Sequence, residues 1–211
     1  MTTRQLFKSN QAGHFDYTLR KQTGGPGQYA RVIGYVEACD ENFIFENRIT
    51  GGTIPTEFIK SCEQGFRDAT SAGILAGYPV VGVKVVLTGG DFHPNDSNDR
   101  AFRFAACQAF YQGMSTADAV IIEPIMDVLV TVPSKFIGAV QGDLIKRRGM
   151  VQNIQTNGND TDLNVQVPLS EMFGYATQLR SLTAGQGNFS MTPSNYQPVP
   201  ETVQAALIAK A

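Results

Sequence analysis

Histidine is nearly missing from this chain: only His14 and His93 occur, and neither lies in a Gly-x-Ser-x-Gly context. A hydrolase that pairs a nucleophile with an imidazole base has little to build on here. Lysine never directly follows glycine, so the loop that carries an amine to the β- and γ-phosphates of a nucleotide is absent. The Gly24-Gly25-Pro26-Gly27 run separates two strand-like segments and opens no helix, so no helix N-terminus waits there for a phosphate. Three cysteines, Cys39, Cys62 and Cys107, show no Cys-x-x-Cys or Cys/His spacing. They read as small buried hydrophobes in a reducing compartment, not as a zinc site or disulfide framework. The longest apolar runs, such as Gly77–Leu87, are short and broken by polar residues, far from a bilayer span. No basic stretch leading into an apolar one opens the chain, and the expected compartment is the cytoplasm.

Positive charge is not in excess either. The formal net charge is −2, and it is not segregated: residues 1–120 carry 11 Lys/Arg against 12 Asp/Glu, and residues 121–199 carry 5 against 6. A broad basic face for sequence-independent phosphate binding is therefore excluded, and any contact with RNA must be local and directed by shape.

What is present describes a well-packed globular protein, 42% hydrophobic and 17% charged over 211 residues. That length suffices for one large or two small domains. Strand-like runs His14–Thr23 and Gln28–Ala38 flank the glycine-rich turn as a hairpin, and Phe43–Ile49 supplies a third strand. After Gly51-Gly52, Pro55 opens a helix whose Phe58, Ile59, Cys62, Phe66 and Ala69 recur at helical spacing. Gly73 and Gly77 end it, Pro79–Thr88 is a β-branched strand, and Gly89–Asn98 a polar loop. Asp96 or Ser97 caps a second helix carrying Phe102, Ala105, Ala106, Ala109 and Phe110.

A βββαβα unit thus ends near Asp118, and a βαββαβ unit follows. Its elements are strand Ala119–Val132, a helix capped by Ser134 with Phe136, Ile137, Val140, Leu144 and Ile145 inward, and strands Met150–Thr156 and Asp162–Leu169. A helix capped by Ser170 follows, with Phe173, Ala176 and Leu179 on its apolar face, then strand Asn188–Pro193. That order predicts a ferredoxin-like split sheet. A terminal helix over Glu201–Lys210 completes the chain. An RNA-recognition sheet would stack bases on aromatic residues, but Val128–Thr131, Met150–Gln155 and Leu163–Val167 contain none. His93 sits among Asp91, Asp96 and Asp99, which resembles a metal or acid–base cluster, and a metal-dependent enzyme using Asp91, His93 and Asp96 is one reading. The plainer reading is a solvated loop in which Asp96 caps the next helix.

Several segments resemble the last two domains of elongation factor G, nearly end to end. They include Gly24–Tyr29 (GGPGQY), Gly51–Pro55 (GGTIP), Leu75–Val81 (LAGYPVV), Glu123–Met126 (EPIM), Gly142–Leu144, Arg147–Met150 (RRGM) and Val167–Leu182 (VPLSEMFGYATQLRSL). The resemblance implies an α+β chain of two domains. Residues 1–119 would be the tRNA-mimicking domain IV, like the second domain of ribosomal protein S5. Residues 120–198 would be the ferredoxin-like domain V, and 199–211 a helix docking back on domain IV. It further implies an excised, non-catalytic, monomeric part of a cytoplasmic translational GTPase, with GTP and magnesium held in a missing domain. The implied partners are the rRNA of both ribosomal subunits, the large-subunit stalk base and the tRNA–mRNA duplex, and the implied task is translocation. A paralogue acting in ribosome recycling or protection is the alternative.

Carried over residue by residue, the resemblance places Gly24, Gly25, Pro26, Gly27 and Gln28 in a first tip loop and Asp91, Phe92, His93, Pro94, Asn95 and Asp96 in a second. Both would meet the tRNA–mRNA duplex in the decoding centre. His93 falls on the family's tip histidine, with a role in packing and hydrogen bonding to the codon–anticodon backbone. Gly25 and Gly27 would let the main chain approach RNA closely, and Gln28 would donate to phosphate or ribose hydroxyls. Pro26 stands where the family often has Arg, and Pro94 where Asp is frequent, so one phosphate contact is lost and the second loop stiffened. In domain V, Lys146, Arg147, Arg148 and Arg180 are the implied rRNA contacts, while Lys146-Arg147-Arg148 also closes a helix whose dipole favours cations. Phe173 is expected in the core.

Overall fold

Alternation along the strand from Gln28 to Ala38 sets the first sheet: Ala30, Val32, Gly34 and Val36 are buried while their neighbours are half-exposed. Period-two alternation of this kind commits one face to a core. The computed structural model describes residues 3–7, 11–21, 27–115 and 119–209. By its internal contacts the chain divides into two units. One comprises Thr3–Ile121 with the segment from Val199, and the other is Ile122–Pro198.

The larger unit contains β1 (Arg4–Phe7), β2 (Gly13–Lys21), β3 (Gln28–Ala38), β4 (Phe43–Asn47), α1 (Thr56–Ala72), β5 (Val80–Val81), β6 (Val83–Asp91) and α2 (Asp99–Met114). The four-stranded sheet runs β2-β3-β6-β4, antiparallel except for the parallel β4–β6 pair that α1 connects. The predicted strand order holds, with two refinements. Gly82 (φ +73°) splits the expected Pro79–Thr88 strand into β5 and β6. β6 then runs on through Asp91, so part of the expected polar loop is strand. β5 pairs in parallel with β1, where the buried Gln5 amide answers the backbone of Ile74 and Leu75.

Helices α1 and α2 cover the sheet. Phe66 meets Phe15 and Phe45 at 5.6 and 5.9 Å, and Phe58 stacks on Phe102 at 4.9 Å. Cys62 is fully buried, and desolvation pushes its thiol up to about 12. Close helix contact depends on Gly65, where an added Cβ would stand 2.2 Å from the Arg103 carbonyl oxygen. Asn98, not Asp96 or Ser97, caps α2, accepting from the Ala101 N–H at 2.9 Å. Asp96 and Ser97 are occupied in the loop instead.

The smaller unit takes most of β7 (Ala119–Pro133), then α3 (Ile137–Lys146), β8 (Met150–Asn157), β9 (Asp160–Pro168), α4 (Tyr175–Leu182) and β10 (Asn188–Pro198). The sheet order β10-β7-β9-β8, antiparallel throughout, is the ferredoxin-like arrangement. Its core gathers Val128, Val130, Val132, Val140, Leu144, Leu163, Val165, Tyr175 and Leu179. Both helix starts differ from expectation. Ser134 opens a 3-10 turn and bonds Asn159 O and Thr161 Oγ1, and Ser170 lies in another 3-10 turn facing Glu123. Phe173 is 79% exposed, contrary to the expectation of a core residue. Left-handed Gly174 (φ +75°) separates it from α4, so helical periodicity starts at Tyr175, and Tyr175 and Leu179 take the core positions. Ala176 and Ile145, also expected inward, are exposed.

The segment after β10 returns to the larger unit. Val199 N–H donates to Ile121 O at 3.0 Å, and Gln204, on α5 (Glu201–Ile208), accepts from Ile121 N–H at 3.2 Å.

Two outcomes follow from these contacts. Gly65→Ala, despite alanine's better helix propensity, will cost about 1–3 kcal/mol in urea unfolding because the helix pair cannot close over the new methyl. On the sheet, Arg48 and then Lys84 hold the Glu46 carboxyl at about 2, below its ordinary 4.5. A depressed acid stabilises the fold above its ordinary value and loses that contribution as pH falls from 4.5 towards about 2. Carboxyl NMR will therefore follow Glu46 titrating in that window, and Arg48→Gln will move the midpoint upward.

Candidate nucleic-acid interface

Because β3 pairs with β2 on one side and β6 on the other, the loops leaving those strands emerge at one end. Lys21 lies opposite Gln28, and Arg31 opposite Asp91. Gly24, Gly25 and Pro26 lie outside the described residues, and the described part of the first loop begins at Gly27. An added Cβ on Gly27 would fall 2.4 Å from the Asp96 carboxylate, so glycine permits the two loops to touch. Gln28 is half-buried beside it.

Tyr29, which composition reasoning did not single out, ties the loops together. Its N–H donates to Asp96 O at 2.9 Å, and its carbonyl accepts from Ser97 Oγ at 2.7 Å. Its hydroxyl donates to Asp91 Oδ2 at 2.7 Å, which pushes the phenol's pKa up. Ser97 Oγ also accepts the His93 N–H at 2.9 Å, and the Ser97 N–H returns to His93 O at 3.0 Å. Below the tip, Arg31 pairs with Asp16 at 2.6 Å and lowers its pKa. Phe92, His93, Pro94 and Asn95 remain exposed, and the Asp96 carboxylate stands 3.4 Å from His93 Nδ1.

This geometry leaves the metal-enzyme reading without a ligand set. Asp91 is turned to Tyr29 and the Phe92 N–H, and Asp99 accepts from Ser61 Oγ at 2.5 Å. Among the described residues, no three His, Cys, Asp or Glu side chains gather to hold a cation. A groove of about 710 Å³ between α1 and α2, lined by Lys60, Ser61, Asp68, Arg103, Phe104 and Cys107, has no histidine on its walls.

Of the five basic residues of the smaller unit, the four expected to contact rRNA separate into two pairs. Arg147 is committed inward: Nε to Asp143 at 2.8 Å, Nη1 to the carbonyls of Glu171 and Phe173, and its plane over Tyr175 at 5.3 Å. Arg148, in the left-handed region (φ +61°), forks onto Glu123, whose side chain is 6% exposed, with Ser170 donating to the same carboxylate at 3.3 Å. Lys146 and Arg180 are exposed and, among the described residues, have no partner. Spacing shows none of this division, since Glu123 and Arg148 are distant in sequence.

A βββαβα unit with paired tip loops, followed by a ferredoxin-like unit, is the architecture of a translation elongation factor. The model of "Elongation factor G, domain IV" matches residues 7–118, and that of "Elongation factor G C-terminus" matches residues 120–207. The chain belongs to the elongation factor G family. It is 50% identical over 194 residues to elongation factor G 1 of Syntrophus aciditrophicus, covering 92% of this chain and 28% of that protein. It is 45% identical over 202 residues to elongation factor G 2 of Anaeromyxobacter dehalogenans, covering 96% and 29%. A crystal structure from Thermus thermophilus superposes with a TM-score of 0.82 at 35% identity, over 99% of this chain and 31% of that one. The chain thus spans under a third of these relatives. No helix among the described residues is long and apolar enough to cross a membrane.

Arg148→Ala leaves the buried Glu123 carboxylate without its cation and will cost about 3 kcal/mol in chemical unfolding. Arg180→Ala, removing an exposed and unpaired cation, will stay within about 0.5 kcal/mol of the parent in the same assay.

Proposed function

We propose that this chain is a ribosome-binding part of a translation factor that promotes movement of tRNA and mRNA. In this reading the tip loops enter the decoding centre and meet the tRNA–mRNA duplex, and the smaller unit contacts the large subunit near the stalk base. The observation that carries the proposal is the doubly tied tip. The exposed turn from Phe92 to Asn95 is fastened to the start of β3 through Tyr29 and Ser97, which suits recognition of a folded RNA by shape and directed hydrogen bonds, without a basic field. The free cations Lys146 and Arg180 supply the local phosphate contacts of the smaller unit. Gln28 and His93 supply polar contacts at the tip.

GTP and magnesium would be held by a domain outside this sequence. The residues present do not fit a nucleotide, since no glycine-lysine pair exists to cradle phosphates. No step of the proposal runs through a nucleotide on this chain.

Co-sedimentation with bacterial ribosomes at low salt tests the reading. The expected result is saturable binding, displaced by complete elongation factor G and weakened several-fold in Lys146→Ala/Arg180→Ala. Binding that complete factor does not displace, or no binding at micromolar ribosomes, would overturn it.

A further inference from the structure

Helices α1 and α2 bury Phe66 and Phe102 against the sheet, and the groove of about 710 Å³ between them opens to solvent. Its walls are two stripes at helical spacing: Lys60, Gln64 and Asp68 from α1, and Arg100, Phe104 and Cys107 from α2. The volume falls within the roughly 300–1,000 Å³ of pockets that enclose a ligand. Ser61 donates to Asp99 near one end, and Arg103 donates to Asp68 further along both helices.

Charges in the groove are unequally committed. Asp68 accepts from Arg103 and from Gln64 Nε2 at 3.0 Å, and the Arg103 guanidinium holds its carboxyl below the ordinary value. Asp99 takes the Ser61 hydroxyl and sits in the first turn of α2, where the helix dipole favours negative charge. Lys60 and Arg100 are exposed, and among the described residues neither has a partner. Because their chain neighbours Ser61 and Asp99 touch, these two cations stand on opposite walls at the same end.

One turn further along, the lining becomes apolar. Phe104 is 48% exposed. It lies off the buried stripe of α2 that runs from Phe102 through Ala105, Ala106 and Ala109 to Phe110, so core packing does not require an aromatic there. Half-buried Cys107 follows, and desolvation raises its thiol pKa, which keeps this part of the groove uncharged.

We propose that the groove docks an acidic amphipathic segment of a protein partner, an apolar side chain packing on Phe104 while carboxylates pair with Lys60 and Arg100. A groove with an apolar stretch and one charged end is suited to an amphipathic helix. Phe104 supplies the aromatic anchor, and the two cations set the orientation and speed of encounter. A polyphosphate chain fits these walls less well, because Asp68 and Asp99 line them and a nucleic acid wants cations along its track. None of the lining residues belongs to the tip loops.

Panning a randomised peptide library on the whole chain tests the assignment, with Phe104→Ala and Lys60→Glu/Arg100→Glu as counter-selecting variants. Since the replaced side chains are exposed, both variants are expected to keep the parent's urea midpoint. Acidic peptides with spaced apolar residues should be enriched and should shift the amide signals of residues 60–68 and 100–107. Each variant should weaken their binding by about ten-fold or more. Enriched peptides that are basic or uncharged, that shift other amides, or that bind the variants equally would overturn the proposal. So would a library yielding no sequence that prefers the wild type. A single-stranded RNA pool that shifts the same amides at lower concentration than the best peptide would overturn it in favour of a nucleic-acid groove. No arm uses ribosomes, so the outcome is separate from that of the co-sedimentation assay.

Discussion

Strand β3 has a neighbour on each side, and both neighbours end in a tip loop. That pairing is the constraint on which the working end depends. The register with β2 brings Gln28 opposite Lys21, and the register with β6 brings Arg31 opposite Asp91. A one-residue slip along either side would turn the alternating Ala30, Val32 and Val36 out of the core, so burial over the length of the sheet fixes loop position at its end. The Tyr29 backbone then needs only two short bonds to fasten the turn from His93 to Ser97.

Much of the architecture is legible in the sequence because it follows from periodicity. The apolar stripe Cys62, Phe66, Ala69 and the run from Phe102 to Phe110 both land in the core of the larger unit. The two-residue turn Gly158-Asn159 joins β8 to β9, between the two strands that the sequence placed there. What periodicity missed has local causes. Phe173 precedes a left-handed glycine and so does not share the phase of α4. Ser134 and Ser170 have the chemistry of helix caps, but 3-10 turns intervene and their hydroxyls are directed to tertiary partners.

The site is legible less evenly. Motif resemblance located the loops that contain His93 and Gly27, but the reason those residues cohere lies in Tyr29 and Ser97, whose roles are main-chain bonds between distant segments. The basic run at the end of α3 shows the same limit. Lys146, Arg147 and Arg148 are equivalent as letters, yet Arg147 and Arg148 serve as internal struts and Lys146 is left to solvent. Glu123 and Glu171, which decide between those roles, lie more than 20 residues away on either side.

The order in which the larger unit is completed follows from the bonds at Ile121. Val199 and Gln204 close on that residue, although the whole of Ile122–Pro198 lies between them in the chain. During synthesis the intervening ferredoxin-like unit emerges in full before those last partners exist, and loop-closure entropy delays contacts of such separation. The intervening unit can thus reach its fold while the other still lacks α5, whose Gln204 closes on Ile121 as a late-arriving latch.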